Sequence, residues 1–239
     1  MAMNRGVEIQ WLGHATFRVR TPGGKTMLID PWVQGNPACP ENLKRITSLD
    51  LMLITHGHSD HFADAISIAR ETGARVVGIV EVCRWLERKG ITNVLEMNKG
   101  GSQTIDGIRV TMVHADHSSS ITEDDGTIVC GGEPAGYVIE LENGFRLYHA
   151  GDTSLFGDMR LIGELYRPDL ALLPIGDLYT MSPREAAYAI RLLGVRQVIP
   201  MHWGTFPALT GTPERLRELT ADIPDLTIHE MKPGDTLTR

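Results

Sequence analysis

The stretch His56-Gly57-His58-Ser59-Asp60-His61 places four potential metal-binding side chains within six consecutive positions. In an extended segment, side chains two positions apart point the same way, so His56 and His58 can present two imidazoles to one cation. Asp60 and His61 follow where the backbone turns and can face a second point nearby. The hexapeptide is therefore expected to serve two metals. The alternative that the pattern leaves open is a solvated, His-rich loop.

The residues on either side predict that the hexapeptide lies in a loop between a strand and a helix. The apolar run 51–54 predicts a short strand, and the spacing of apolar residues in 65–69 predicts a helix. Loops at strand ends commonly carry functional groups. The position of the hexapeptide therefore agrees with a ligand role.

Length and composition predict a single domain over residues 1–239 with one large α/β core. No stretch approaches the ~20 apolar residues of a membrane span. The segment 1–6 lacks the features of a secretory signal. The cysteines are odd in number and show no CxxC spacing, which favours reduced thiols. These observations lead us to expect a cytoplasmic protein without a membrane span.

The net charge of −7 argues against a nucleic-acid partner, because binding to phosphate backbones depends on clusters of Lys and Arg, and the sequence has none. We therefore expect a small-molecule substrate as the main partner. A homo-oligomer is left open.

Two runs of strands with helices interleaved predict two packed sheets flanked by helices. The hairpin signal Asn143-Gly144 joins two of the strands. The polar segment 118–134 predicts a long functional loop, with a lid over the site as one possibility. The predicted strands are 7–12, 15–20, 25–30, 51–54, 108–114, 137–142, 145–149, 170–173, 197–199 and 226–229, and the later helices are 183–193 and 213–220.

A two-metal site needs about three protein ligands per ion and usually a carboxylate that bridges them, so further ligands must come from other strand ends. His117, Asp152 and His202 each follow a predicted strand. Each of these residues alone fits a core or surface position, but together with the hexapeptide they complete a ligand set.

The hexapeptide, His117, Gly151-Asp152-Thr153 and His202, in this order, resemble the metallo-β-lactamase superfamily. The stretches 11–16, 173–181 and 200–207 resemble an uncharacterised metal-dependent hydrolase family close to the L-ascorbate-6-phosphate lactonases. The resemblance covers most of the chain. It implies an α+β fold, a four-layer αββα sandwich with two mixed sheets flanked by helices, and metals at one edge of the sheets.

The resemblance also implies two groups of ligands and a bridge between them. It assigns His56, His58 and His117 to the first metal, Asp60, His61 and His202 to the second, and Asp152 to the bridge. Asp30 corresponds to a residue that orders the hexapeptide loop by hydrogen bonds without binding metal. The absence of a cysteine among these positions argues against an antibiotic hydrolase.

The implied activity is hydrolysis of a small ester, lactone or phosphoester by a hydroxide shared between two divalent ions. Zinc is the first choice, while Mn, Fe, Co and Ni also suit imidazole and carboxylate ligands. Asp60 is expected to orient or relay the proton. His14 is expected either to bond a substrate oxygen as a catalytic residue or to cap a sheet edge.

The sequence leaves the roles of several neighbouring residues open. The residues on the later loops could line a pocket or pack in the core: Asp177, Tyr179, Thr180, Met181, Trp203 and Thr205. His114 and His149 are expected mainly to pack or to support ligands, and His229 carries no functional expectation. The sequence also leaves open a mononuclear iron oxygenase on the same scaffold, or a non-enzymatic metal-binding protein.

Overall fold

The computed structural model describes residues 6–239. Residues 1–5, most of the segment expected to lack a secretory signal, lie outside this range. Among the described residues, no helix has the length and apolar character needed to cross a bilayer.

Strands and helices alternate along the described chain, beginning with antiparallel strands and ending with strand–helix pairs. The strands are β1 (Glu8–Trp11), β2 (Phe17–Arg20), β3 (Thr26–Ile29), β4 (Leu51–Leu53), β5 (Arg75–Ile79), β6 (Val94–Met97), β7 (Ser102–Ile105), β8 (Ile108–His114), β9 (Ser120–Thr122), β10 (Ile128–Cys130), β11 (Ala135–Glu140), β12 (Arg146–His149), β13 (Leu170–Pro174), β14 (Gln197–Met201), β15 (Thr227–Ile228) and β16 (Thr236–Thr238). The helices are α1 (Ser59–Phe62), α2 (Ala65–Thr72), α3 (Val80–Arg88), α4 (Met159–Tyr166), α5 (Pro183–Leu193) and α6 (Pro213–Leu219).

The strands form two mixed sheets of seven strands each. The first has the order β16-β1-β2-β3-β4-β5-β6, and the second has the order β15-β14-β13-β12-β11-β8-β7. In the first sheet β1, β2 and β3 are antiparallel and β3 to β6 are parallel. In the second, β12 to β15 are parallel. With helices on the outer faces, the predicted αββα sandwich is confirmed.

Alternating apolar residues fill the space between the two sheets. Trp11 and Phe17 from the first sheet and Tyr137 and Leu147 from the second are buried in one cluster. The Tyr137 hydroxyl donates to the carbonyl of Ile54 at 2.7 Å, which gives this buried polar group a partner. The sheets are thus joined directly behind the hexapeptide.

A second apolar cluster lies under the outer helices of the second sheet. It includes Ile162 of α4, Ile190 of α5 and Leu216 of α6. All five residues of β13 are buried, as expected for a strand that is covered on both faces.

Helix α5 spans residues 183–193 as predicted, because its signals are local. The Ser182 side chain accepts from the backbone N–H of Glu185, the Glu185 side chain accepts from the Ser182 backbone, and Pro183 opens the helix. Gly194 ends it in a left-handed conformation. Helix α6 ends at Leu219, one residue earlier than predicted.

The sequence did not predict several elements between residues 75 and 166, or β16. The apolar strand β5 continues directly into α3, so no turn signal marks where one ends and the other begins. The segment 118–134, predicted as a loop, contains the antiparallel hairpin of β9 and β10. This hairpin packs beside the hexapeptide, since Gly57 N donates to the Ser119 hydroxyl at 3.2 Å.

Candidate metal centre

Four strand ends carry the predicted ligands to one edge of the sandwich. β4 leads into the hexapeptide, β8 ends three residues before His117, β12 ends three residues before Asp152, and β14 ends directly before His202. All seven predicted metal ligands lie in groups whose ligand atoms are within 4.8 Å of one another: His56, His58 and His117; His56, His61 and Asp152; and His14, Asp60, His61 and His202.

The first group consists of three imidazoles from the hexapeptide and the loop after β8. The Nε2 of His56 lies 3.1 Å from the Nδ1 of His58. The His117 ring lies 5.2 Å from each of the other two rings and nearly perpendicular to both. The Ser118 hydroxyl lies 3.3 Å from the Nε2 of His58. Three ring nitrogens can therefore face one cation.

Asp152 lies between the two groups. Its Oδ2 is 3.2 Å from the Nε2 of His61, 3.7 Å from that of His117 and 3.0 Å from that of His202. These nitrogens come from three separate segments of the chain. One carboxylate oxygen thus touches members of both groups, which is the position that a bridging ligand requires.

The second group contains a residue beyond the three implied ligands. The Nε2 of His14 lies 3.1 Å from the Oδ2 of Asp60, and that oxygen is 4.0 Å from the Nε2 of His202. The Nδ1 of His14 lies 3.0 Å from the hydroxyl of Thr205. Since an ionised carboxylate only accepts, the proton of a neutral His14 lies on Nε2 and Thr205 donates to Nδ1.

The Asp30 carboxylate orders the hexapeptide through three hydrogen bonds. It accepts from the backbone N–H and the hydroxyl of Thr55, each at 2.8 Å, and it lies 2.8 Å from the Nδ1 of His61. His61 therefore carries a proton on Nδ1. Because the Thr55 hydroxyl donates to Asp30, it accepts from the Nδ1 of His56, 2.9 Å away. Asp30 thus directs the Nε2 atoms of both histidines into the centre.

The backbone is strained at three of these positions. His14, Asp30 and His202 have φ angles of +58°, +51° and +55°. The left-handed conformation costs a residue other than glycine about 1–2 kcal/mol, and such strain collects at functional sites. Gly151 also has positive φ, and a Cβ there would lie 2.6 Å from the Ala135 carbonyl. This position before Asp152 therefore requires glycine.

The pKa shifts indicate neutral imidazoles in the first group and an ionised carboxylate at Asp152. Burial lowers the pKa of His56, His58 and His117, so their nitrogens keep free lone pairs at neutral pH. Burial alone would raise the pKa of Asp152, but His202 and His61 hold it well below its usual value.

The pKa shifts of His61 and Asp60 show that the surroundings of the second group stabilise a positive charge on His61 and a negative charge on Asp60. Burial would lower the pKa of His61, but Asp152 and Asp30 raise it well above the usual value. A positive charge is thus favoured at its Nε2, either a proton or a metal cation. Burial would raise the pKa of Asp60, but the hydrogen bond from His14 and the charge on His61 keep it low.

The buried polar atoms of the centre fit a metal site. Among residues 6–239, Nε2 of His61, Oδ1 of Asp152 and both ring nitrogens of His202 are buried without a hydrogen-bond partner. Unsatisfied buried polar groups cost about 1–3 kcal/mol each. Imidazole and carboxylate ligands suit first-row transition metals and zinc. Cations at this position would satisfy these atoms.

The other histidines lie outside the three groups. His149 is buried, its Nε2 donates to the Ala15 carbonyl at 3.0 Å, and its Nδ1 accepts from Gly151 N at 3.1 Å, so it supports the turn before Asp152. His114 is exposed and its ring packs 4.8 Å from that of Phe156. His229 lies beside Gln197 at the far edge of the second sheet.

The loop residues that could have formed pocket walls have different positions. Met181 is fully buried in the outer core, and Trp203 stacks on Trp11 with ring centres 5.7 Å apart, so both serve packing. Thr205 contacts His14, as described above. Tyr179 is exposed, and Asp177 accepts from the backbone N–H of Leu178.

Sequence reasoning missed three contributors to the centre. Thr55 connects Asp30 with His56, Ser118 contacts His58, and Trp32 lies edge-on to His14 with ring centres 5.2 Å apart. Thr55 and Ser118 are direct neighbours of predicted ligands, and this adjacency is the only signal that could have identified them. Trp32 offers no such signal, because its contact depends on the tertiary fold.

A family model described as the β-lactamase superfamily domain matches residues 25–203, which include the hexapeptide, Asp152 and His202. The chain belongs to the metallo-β-lactamase superfamily.

Similar proteins with this fold are named as metal-dependent hydrolases. One relative is a UPF0173 metal-dependent hydrolase of Rubrobacter xylanophilus, 57% identical, with 97% of this chain and 96% of that protein covered. Another, from Koribacter versatilis, is also 57% identical, with 97% and 98% covered. The structure of Igni18, a metallo hydrolase from Ignicoccus hospitalis, is 37% identical with a TM-score of 0.85 and covers 98% of each chain.

This superfamily member is therefore a metal-dependent hydrolase, and the expected enzyme class is confirmed. These relatives do not support the oxygenase or the non-enzymatic alternative. The closeness to the L-ascorbate-6-phosphate lactonases stays a prediction.

Proposed function

We propose that the enzyme hydrolyses a small ester, lactone or phosphoester at a centre of two divalent cations, with zinc as the first choice. The position of Asp152 carries the proposal, because its Oδ2 contacts imidazoles from three chain segments at 3.0 to 3.7 Å. We assign His56, His58 and His117 to one cation, Asp60, His61 and His202 to the other, and Asp152 to both.

The chain's own residues prepare the centre for this reaction. When bound, a pair of divalent cations supplies a water deprotonated near neutral pH and stabilises negative charge on the attacked oxygen. The bonds from Asp30 and Thr55 fix the tautomers of His61 and His56, so their ring nitrogens are free to bind. Asp152 is 3% exposed, so its carboxylate is held apart from bulk solvent.

Asp60 is the proposed catalytic residue, and His14, which was expected from the sequence to be catalytic, is proposed as the residue that positions it. The Asp60 side chain is 30% exposed, in contrast to the almost fully buried Asp152, so it faces incoming substrate and water. Its carboxylate can accept a proton as the nucleophile forms, while the Nε2–H of His14 holds Oδ2 in place. His14 is fully buried and acts on the reaction mainly by positioning Asp60.

The proposal is tested by metal analysis of the purified enzyme followed by a hydrolysis screen over ester, lactone and phosphoester substrates. We expect two metals per chain and turnover of at least one bond type. The double variant His56→Ala/His58→Ala should lose metal and turnover together, while the control His114→Ala, outside the three groups, should keep both. One iron per chain, or turnover that survives the double substitution, would contradict the proposal.

A separate variant tests the role of His14. His14→Gln should keep both metals but lower kcat, because Asp60 loses its bond to Nε2. Unchanged kcat and KM in this variant would remove His14 from the mechanism and leave it as a structural residue.

A further inference from the structure

Two loops border the metal centre on the side of the second sheet. One follows β13 and covers residues 175–181, and the other follows β14 and begins at His202. The first loop is fixed at both ends: Ile175 N donates to the Met201 carbonyl at 3.0 Å, and Met181 N donates to the Thr153 carbonyl at 3.1 Å. Its base therefore lies between the segments that carry His202 and Asp152.

These loops, whose bases lie beside the centre, expose large apolar side chains. Seven large hydrophobic residues of the described chain are exposed, and three of them are Leu178 at 64%, Tyr179 at 60% and Phe206 at 37%. Full burial of such a side chain is worth about 1.5–3 kcal/mol. Exposed apolar side chains on loops that border a reaction site are a common feature of ligand-binding surfaces.

The backbone holds Leu178 outward at an energetic cost. Asp177 and Leu178 are consecutive left-handed residues with φ of +67° and +54°. The Asp177 carboxylate accepts from Leu178 N at 2.8 Å, and the Asp177 carbonyl accepts from Tyr179 N at 2.6 Å. These bonds hold a conformation that costs Leu178 about 1–2 kcal/mol. Strain of this kind collects at ligand-binding segments.

Phe206 is the exposed side chain that lies close to His14 and, through His14, to Asp60. Its ring centre lies 5.7 Å from that of His14 and 6.0 Å from that of Trp32. His14 in turn contacts Asp60 at 3.1 Å. An aromatic wall thus lies directly beside the carboxylate that faces the substrate.

The two loops also lack cationic groups. Residues 175–181 and 202–209 contain no Lys or Arg, and Asp177 adds a negative charge. A phosphate group that lay on these loops, away from the metals, would need such cations or a helix N-terminus. The chemistry of this border therefore favours an uncharged apolar group.

We propose that Leu178, Tyr179 and Phe206 form an apolar rim that binds an alkyl or aryl group of the substrate. This inference rests on the proposed function and adds to it the chemical class of the group that lies beside the metals. The other occupant that such a surface could take is a second copy of this chain.

The test measures how straight-chain carboxylates from acetate to octanoate bind to the zinc-loaded enzyme by titration calorimetry. A carboxylate can ligate the metal while its chain lies against the rim. We expect the affinity to rise up to about fourfold for each added methylene that is buried. Leu178→Ala and Tyr179→Ala should flatten this rise and leave acetate binding unchanged. Phe206→Ala should flatten it as well.

Matched controls are available on the outer helices. Leu165 on α4 and Tyr188 on α5 are 72% and 55% exposed and lie outside the two loops. Leu165→Ala and Tyr188→Ala should keep the full dependence on chain length. Thermal melting of each variant verifies that the protein is folded.

Three results would contradict the proposal that these side chains bind substrate. These are absence of octanoate binding, an affinity that does not depend on chain length, and a control variant that changes as much as Leu178→Ala. Self-association that Leu178→Ala abolishes, with the chain-length dependence unchanged, would identify the surface as a subunit interface instead.

The same experiment separates the rim from the proposed function. If carboxylates bind with the expected dependence but no ester, lactone or phosphoester is cleaved, the proposed reaction fails and the rim stands. If esters are cleaved at rates that do not depend on chain length and carboxylate affinity is flat, only the rim fails.

Discussion

Asp30 is the residue on which the geometry of the hexapeptide depends most. It accepts three hydrogen bonds and, through Thr55, sets the tautomers of two proposed ligands. Residues that support metal ligands in this way are typically worth a factor of about 10–100 in metal affinity. The role is specific to the carboxylate, because only an acceptor can fix the proton on the Nδ1 of His61.

We predict that Asp30→Asn lowers zinc affinity by about 10- to 100-fold, because the amide can turn a donor toward His61. Asp50→Asn is the matched control. Asp50 also accepts hydrogen bonds from a backbone N–H and from a side chain, but that side chain is Lys25 and not a histidine of the metal centre. Competition with a fluorescent chelator measures both affinities. Equal affinity in wild type and Asp30→Asn would show that tautomer control does not limit binding.

His229 gives a pH-dependent contribution to stability away from the metal centre. Burial, together with the charge of Arg239, lowers the pKa of His229 to about 4 from its usual 6.5. The unfolded chain therefore binds more protons between these values, so the free energy of unfolding falls as pH decreases from 6.5 toward 4.

We predict that His229→Gln makes this decrease in the free energy of unfolding smaller by about 1–2 kcal/mol. The figure is lower than the full pKa shift would give, because the side chain is partly exposed and solvent screens its charge. Urea unfolding at pH 7 and pH 4.5, with chelator throughout, measures the difference. The same loss between the two pH values in both proteins would contradict the assignment.

The sequence identified residues whose side chains the structure brings together, since each is a His or Asp at the end of a recognisable strand. That these residues bind metal stays a prediction. The hexapeptide alone contains four of the seven proposed metal-binding residues. The sequence could not predict the contacts of His14 with Asp60 and Thr205, because these two residues are 46 and 191 positions away from His14 along the chain. Contacts of this kind follow from tertiary packing rather than local pattern.

At the scale of elements, the hairpin of β9 and β10 supports the hexapeptide loop. Ile121 is buried, and a Cβ added at Gly57 would lie 2.6 Å from its Cγ1 and 3.0 Å from the Ser120 carbonyl. Glu123, directly after β9, accepts a hydrogen bond of 2.7 Å from the Nε1 of Trp85 on α3. The hairpin is therefore a packed wall, and its opening as a lid stays a prediction.

We predict that Gly57→Ala weakens zinc binding at least tenfold and lowers stability by about 1–3 kcal/mol, because the new methyl group forces the hairpin and the loop apart. Gly157→Ala is the control, since a Cβ there meets no atom within 4 Å. Chelator competition and thermal melting measure the two effects. Tight zinc binding by Gly57→Ala would show that the hairpin can shift without disturbing the loop.

Elements with strong local signals were predicted almost to the residue. Helix α5 has a capping box, an N1 proline and a terminal glycine, and its bounds agree. Helix α3 was missed because it follows β5 without a polar break. The hairpin was missed because its strands of three residues are too short to show an alternating pattern. Short elements are stabilised mainly by what they pack against.

At the scale of the whole molecule, metal binding is coupled to folding. The proposed ligands come from segments between residues 56 and 202, so only the folded chain brings them together. The fold class was predicted through the resemblance of the ordered motifs, because local patterns indicated two sheets but not which strands are neighbours in each.

We predict that each cation site filled by zinc at about 100 times its Kd adds about 2.7 kcal/mol to the free energy of unfolding, and thereby raises Tm by about 5 to 10 °C per site for a chain of this size. Chelator should reverse the shift. His56→Ala/His58→Ala should show a much smaller shift under the same conditions, and a shift equal to that of the wild type would place the bound zinc elsewhere.

We propose that distant segments of the chain hold two cations, one on either side of Asp152. Anomalous-difference crystallography of the zinc-loaded enzyme is the decisive measurement. We expect two peaks, one among His56, His58 and His117 and one among Asp60, His61 and His202, with Asp152 contacting both. A single peak, or zinc bound away from these residues, would contradict it.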